Sequence, residues 1–75
     1  MPAPVNELKK RLLAGEQTIG CWLTLADSYA AEIAGRCGFD WCLVDGEHAP
    51  NDLRSTLAQI QALAGTETPA AVRPP

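Results

Sequence analysis

Asp45, Glu47 and His48 fall within the four-residue stretch Asp45-Gly46-Glu47-His48, and Arg73 closes an apolar run further along the chain. These residue types can do chemistry together. A histidine with an ordinary pKa near 6.5 suits general acid–base work. Carboxylates such as Asp45 and Glu47 can ligate a divalent ion that acts as Lewis acid on a carbonyl, or can partner its water. A hard divalent ion takes at least six or so oxygen ligands, so these two would need help from other residues. Schiff-base chemistry requires a lysine at the reacting centre. Lys9 and Lys10 are the only lysines and belong to the first helical segment, so that route gains no support. A plainer reading stands beside the catalytic one. Asp45 and His48 could simply close a βα loop, as Asp and Gly often do. Arg73 could be a solvated strand-end arginine. Gly46 suggests a positive φ or a close approach to a ligand, and Pro50 stiffens the loop. Trp22 and Trp41 read first as packing residues.

The elements that must position these groups follow from periodicity. Val5, Leu8, Leu12 and Leu13 mark an amphipathic helix, with Pro4 suited to its first turn and Gly15 to its exit. Ile19 to Leu25 is a short apolar run that predicts a buried strand. Asp27 or Ser28 can cap a helix from Tyr29 to about Arg36, stopped by Gly35 and Gly38. Trp41 to Asp45 predicts a second buried strand. Asn51 or Asp52 can cap a third helix, with Leu53, Leu57, Ile60 and Ala64 at helical spacing. Ala70 to Arg73 predicts a third strand. The order is α-β-α-β-α-β. Strands without alternation, joined by crossover helices, imply a parallel sheet covered on both faces. In such folds the active groups gather at the C-terminal ends of the strands, which is where Asp45, Glu47, His48 and Arg73 fall. A (β/α)8 barrel needs about 250 residues, and a three-stranded parallel sheet leaves two raw edges. Residues 1–75 are therefore expected to be one partial domain, the N-terminal part of a larger α/β protein.

Composition narrows the function classes. The chain has 75 residues, 47% of them hydrophobic and 20% charged, with a net charge of -3. That balance argues against a nucleic-acid partner, which calls for a basic patch. It also argues against disorder. No apolar run approaches the roughly 18–20 residues that span a bilayer, and the N-terminal stretch has no apolar core of a signal peptide. Cys21, Cys37 and Cys42 are odd in number and form no C-x-x-C pair. They suit reduced thiols in the cytoplasm better than a disulfide scaffold or a zinc site.

The stretch GFDWCLVDGEHAPND, residues 38–52, closely resembles the signature of the metal-dependent (class II) pyruvate aldolases typified by 4-hydroxy-2-oxo-heptanedioate aldolase. IGCWLTL before it and AAVRP after it resemble that family's first and third strands. The resemblance implies a (β/α)8 TIM barrel in a homo-oligomer, typically a hexamer, in the cytoplasm, with a place in aromatic compound catabolism. It implies reversible cleavage of a 4-hydroxy-2-oxo acid to pyruvate and an aldehyde, both small molecules. It implies a divalent metal ion (Mg2+, Mn2+ or Co2+) whose direct ligands, a glutamate and an aspartate, lie beyond residue 75. His48 then matches the general-base histidine and Arg73 the arginine that contacts pyruvate and its enolate. Asp45 and Glu47 match acidic residues beside the metal, acting through its waters, and Trp22 matches a pocket wall. On this view the 75-residue chain alone is inactive. Two alternatives remain: a keto-deoxy-sugar-acid aldolase of the same family, or a non-catalytic barrel remnant serving as an interaction module.

Overall fold

The computed structural model describes residues 4–75. Helix α1 spans Glu7–Leu13, strand β1 Gly20–Leu23, helix α2 Ser28–Gly35, strand β2 Trp41–Asp45, helix α3 Leu53–Ala64 and strand β3 Ala70–Arg73. The expected order holds, and β2 and β3 have the expected bounds. The strands form one parallel sheet in the order β1-β2-β3. This is the βαβαβ arrangement of a (β/α)8-barrel segment.

Local chemistry sets the ends of the helices. The Asn6 side chain accepts a hydrogen bond from the Lys9 N–H at 3.0 Å, so α1 starts after Asn6 and Pro4 lies outside its first turn. Gly15 follows α1 with φ +79, the left-handed exit that glycine tolerates. Asp27 caps α2 through the Tyr29 N–H. Asp52, the second of the two expected candidates, caps α3 in a reciprocal box with Ser55.

Helices α2 and α3 pack on each other and on one face of the sheet. The core lies there, built from Leu23, Ala31, Cys42, Val44 and Leu63, with Cys21, Ala34 and Ala62 against it. Gly35 lets the two helices meet, since a Cβ there would come within 2.9 Å of Leu63 and Thr66 side-chain atoms. The buried Thr68 hydroxyl ties the α3–β3 connection to the Gly35 carbonyl at 2.6 Å.

Three expectations need correction. Strand β1 stops at Leu23, because Ala26 takes a left-handed φ of 55 and Leu25 turns out to solvent. Within the described residues the sheet is covered by helices on one face only, so β1 is not a fully buried strand, and Trp22 is 47% exposed on the other face. The row Leu53, Leu57, Ile60 and Ala64 is not the buried face of α3. Leu53 is 86% exposed, and it is Gln59 and Leu63 that face inward.

Candidate active site

The strand register builds the site. Asp45, the last residue of β2, is the direct partner of Arg73, the last residue of β3. Side chains alternate between the faces of a sheet. Cys42 and Val44 point to the helices, so Asp45 and Arg73 sit on the opposite face, at the C-terminal edge.

Asp45 is 1% exposed and its carboxylate is surrounded by donors. Arg73 Nε donates to Oδ1 at 3.0 Å and Nη2 to Oδ2 at 2.6 Å. Trp22 Nε1 donates to Oδ2 at 3.0 Å. The backbone N–H groups of Glu47 and His48 donate to Oδ1 at 2.9 and 3.1 Å. The Arg73 bond first, then the Trp22 bond, hold the Asp45 carboxyl well below the usual carboxylate range. Asp45 in turn raises the Arg73 guanidinium above its ordinary value.

Arg73 is fixed on more than one side. Its guanidinium carbon lies 5.2 Å from the Trp22 ring centroid, a cation–π contact. Glu47 Oε2 is 3.7 Å from Arg73 Nε, and Glu47 Oε1 is 3.4 Å from His48 Nε2. Glu47 thus stands between the arginine and the histidine. The His48 side chain is 69% exposed while its backbone is held by Asp45. Asp45 uses Nε and one N–H of Nη2, and among the described residues Nη1 makes no hydrogen bond, so its N–H groups can donate to an anionic oxygen.

The expected site residues Trp22, Asp45, Glu47, His48 and Arg73 therefore form one connected cluster. Lys9 and Lys10 lie on α1, before β1, and not at a strand end. Gly46 has no positive φ, and its need is close approach to protein. Its N–H donates to the Arg73 carbonyl at 2.8 Å, and a Cβ would stand 2.8 Å from that oxygen. A separate cleft of about 680 Å3 lies at the other end of the strands, lined by α1 and by Asp40 and Pro69. Two of its charged residues, Arg11 and Asp40, pair with each other at 2.8 Å.

Two further residues support the loop. Asn51 Nδ2 donates to the Asp45 carbonyl at 2.7 Å, and Gln59 Nε2 donates to Asn51 Oδ1 at 2.7 Å. Asn51 was expected only as a helix cap, and Gln59 carried no expected role. A polar side chain on the row that also holds Leu63, four residues on, was the signal available in the sequence.

Among the described residues no three His, Cys, Asp or Glu side chains cluster so as to hold an ion. Asp45 is saturated by donors, so Glu47 is the carboxylate of the cluster left with oxygen to offer.

The sequence model of the HpcH/HpaI aldolase/citrate lyase family matches residues 18–75. The chain is 60% identical over 74 residues to a hydroxypyruvate/pyruvate aldolase of Pseudomonas aeruginosa, covering 99% of this chain and 28% of that one. It is 51% identical over 69 residues to a 4-hydroxy-2-oxo-heptane-1,7-dioate aldolase of Salmonella dublin, covering 92% and 26%. Among solved structures, an HpcH/HpaI aldolase/citrate lyase family protein from Burkholderia cenocepacia superposes with a TM-score of 0.79 at 40% identity, over 91% of this chain and 27% of the other. The chain thus spans under a third of the length of the relatives it matches.

Proposed function

This chain belongs to the HpcH/HpaI aldolase/citrate lyase family, and from that premise we propose that residues 1–75 are one portion of a single barrel domain that cleaves a 4-hydroxy-2-oxo acid reversibly to pyruvate and an aldehyde. The observation that carries the reading is Arg73, locked edge-on by Asp45 and face-on by Trp22, with an open guanidinium edge beside Glu47 and His48.

In this reaction a base takes the proton of the 4-hydroxyl, the C3–C4 bond breaks, and the electron pair passes into the C2 carbonyl as an enolate. The aldehyde leaves and C3 is then protonated to give pyruvate. Arg73 stabilises the oxyanion that appears only as the bond breaks. A preorganised donor aimed at developing charge is where an enzyme gains most. Asp45 positions Arg73 and does not meet substrate. His48 is the acid–base residue, and Glu47 orients it. Trp22 forms the wall behind the guanidinium. A divalent ion (Mg2+, Mn2+ or Co2+) belongs to the same proposal; held by residues outside residues 1–75, it would supply a Lewis acid for the 2-oxo group. A cytoplasmic location, a homo-oligomeric (hexameric) assembly and a role in aromatic compound catabolism complete it. The three free cysteines support the location. The absence of a nucleic-acid partner is supported by the net charge of -3. No helix among the described residues is long and apolar enough to cross a membrane. The likeness to the Pseudomonas aeruginosa protein, named a hydroxypyruvate/pyruvate aldolase, favours hydroxypyruvate as a second donor.

The test grafts residues 1–75 in place of the matching segment of that relative, giving a full-length chain. Pyruvate release from a 4-hydroxy-2-oxo acid is expected within about tenfold of the parent, the tolerance of a well-preserved site. A folded graft with no turnover beside an active parent would sink the proposal.

A further inference from the structure

The loop from Gly46 to Pro50 carries Glu47 and His48 and is held at both ends. At its far end the capping box of Asp52 and Ser55 fixes the start of α3, with bonds of 2.8 and 2.9 Å. At its near end Asn51 folds back onto the last carbonyl of β2, that of Asp45, at 2.7 Å. Asn51 does not hold this pose alone. Its Oδ1 accepts from Gln59 Nε2 at 2.7 Å and from Ser55 Oγ at 2.8 Å. Gln59 Nε2 also donates to the Ser55 carbonyl at 2.9 Å.

Gln59 is 1% exposed and lies one turn before Leu63 on the face of α3 that packs inward. An apolar residue would be the simple choice there, because a buried amide is costly unless its hydrogen bonds are made. The partners also fix the direction of the chain of bonds. Turning the Gln59 amide over would set its oxygen against two acceptors, Asn51 Oδ1 and the Ser55 carbonyl. Turning Asn51 over would set its oxygen against the Asp45 carbonyl. Only one polarity makes these bonds: Gln59 gives to Asn51, and Asn51 gives to the backbone of Asp45. The Asp45 carboxylate grips Arg73 together with Trp22 and also accepts the Glu47 and His48 N–H groups, but neither it nor the Trp22 ring bonds to Gln59 or to the Asn51 side chain.

We propose that Gln59, acting through Asn51, is a positioning residue that sets the place of Glu47 and His48 relative to Arg73. The inference rests on the aldol reaction proposed above. A positioning role separates two kinetic quantities. Donor binding, which depends on Arg73, survives loss of the Gln59–Asn51 bond, while turnover, which depends on His48, does not.

The experiment uses the grafted full-length chain with Gln59→Leu, Gln59→Met and Asn51→Ala. Gln59→Met keeps length and volume without the donor, so the test stands even if Gln59→Leu fails to fold. Misplacement of a catalytic group by about 1 Å costs up to about 10²-fold, so kcat is expected to fall about 10- to 10²-fold, with KM for pyruvate in the condensation direction within about threefold. The double variant Gln59→Met with Asn51→Ala is expected to be no slower than Asn51→Ala alone, because the two residues act as one unit. Hydrogen exchange of the backbone amides of residues 46–49 is expected to quicken in Gln59→Met, while that of β3 stays as it was. An unchanged kcat, losses that multiply in the double variant, or unchanged loop exchange would each overturn the proposal. If the graft had no aldolase turnover at all, the reaction proposed above would fail by itself. Loop exchange would then still decide the anchoring: faster exchange upholds it and unchanged exchange removes it.

Discussion

Arg73 and Asp45 are direct partners across the β2–β3 register, and their side chains meet edge to edge at 3.0 and 2.6 Å. The geometry is the two-bond fork that arginine makes with a carboxylate and lysine cannot. Arg73→Lys in the grafted full-length chain is therefore expected to keep the charge and lose the site. The loss should reach about 10²-fold in kcat/KM for aldol cleavage, the scale of removing one preorganised donor. Steady-state kinetics checks it, and a lysine variant within threefold of wild type would show that charge alone suffices.

The same pair predicts a pH signature. Arg73 and Trp22 depress the Asp45 pKa in the folded state. A depressed carboxyl contributes stability that is fully present above its unfolded value, near 3.9, and that is lost as pH falls from there towards the folded value. Asp45→Asn should therefore destabilise the full-length graft clearly at pH 7, with the gap to wild type shrinking below about pH 4. Urea unfolding at several pH values measures this. A gap that stays constant from pH 7 to pH 3 would remove Asp45 ionisation from the account.

His48 leads to a different kinetic pattern. Its backbone is fixed by Asp45, and its ring reaches out of the cluster beside Glu47. His48→Ala should lower kcat by about 10²- to 10⁴-fold, the usual contribution of a general acid–base group, with pyruvate affinity nearly unchanged. Near wild-type turnover in the variant would leave His48 as a loop-closing residue.

The strands were legible because an apolar run bounded by turn formers has few other uses. Trp41 to Asp45 and Ala70 to Arg73 read correctly to the residue. The end of β1 was not, because Thr24 and Leu25 are residues that suit a strand while the backbone turns at Ala26. The face of α3 misled for a related reason. Leu53 and Leu57 have helical spacing, but a barrel segment leaves helix flanks for neighbouring elements, so spacing alone does not tell which apolar row meets this sheet. The site residues could be named from their types and their place after strands. Their bonds could not, since Asp45 meets Arg73 across 28 positions and Trp22 across 23, through a register that only the folded sheet supplies.

The 75-residue chain by itself is expected to fold poorly and to bind Mn2+ no better than millimolar. The outer edges of β1 and β3 have no partner strand within the described residues. Leu13, Leu25, Tyr29 and Leu53 are each more than three-quarters exposed. Raw edges and unburied apolar surface weaken a domain this small. Circular dichroism during heating, together with a metal titration, checks both parts. A cooperative transition with micromolar, site-specific Mn2+ binding would contradict them.

The central claim is that Arg73 stabilises the pyruvate enolate. The exchange of pyruvate methyl protons with solvent needs that enolate and no aldehyde, so it isolates the step. Followed by NMR in deuterated water on the grafted full-length chain, Arg73→Ala is predicted to slow this exchange by about 10²- to 10³-fold, as expected for loss of a charge-stabilising donor. Exchange at the wild-type rate, with aldol cleavage impaired, would contradict the account and place Arg73 on the aldehyde half of the substrate.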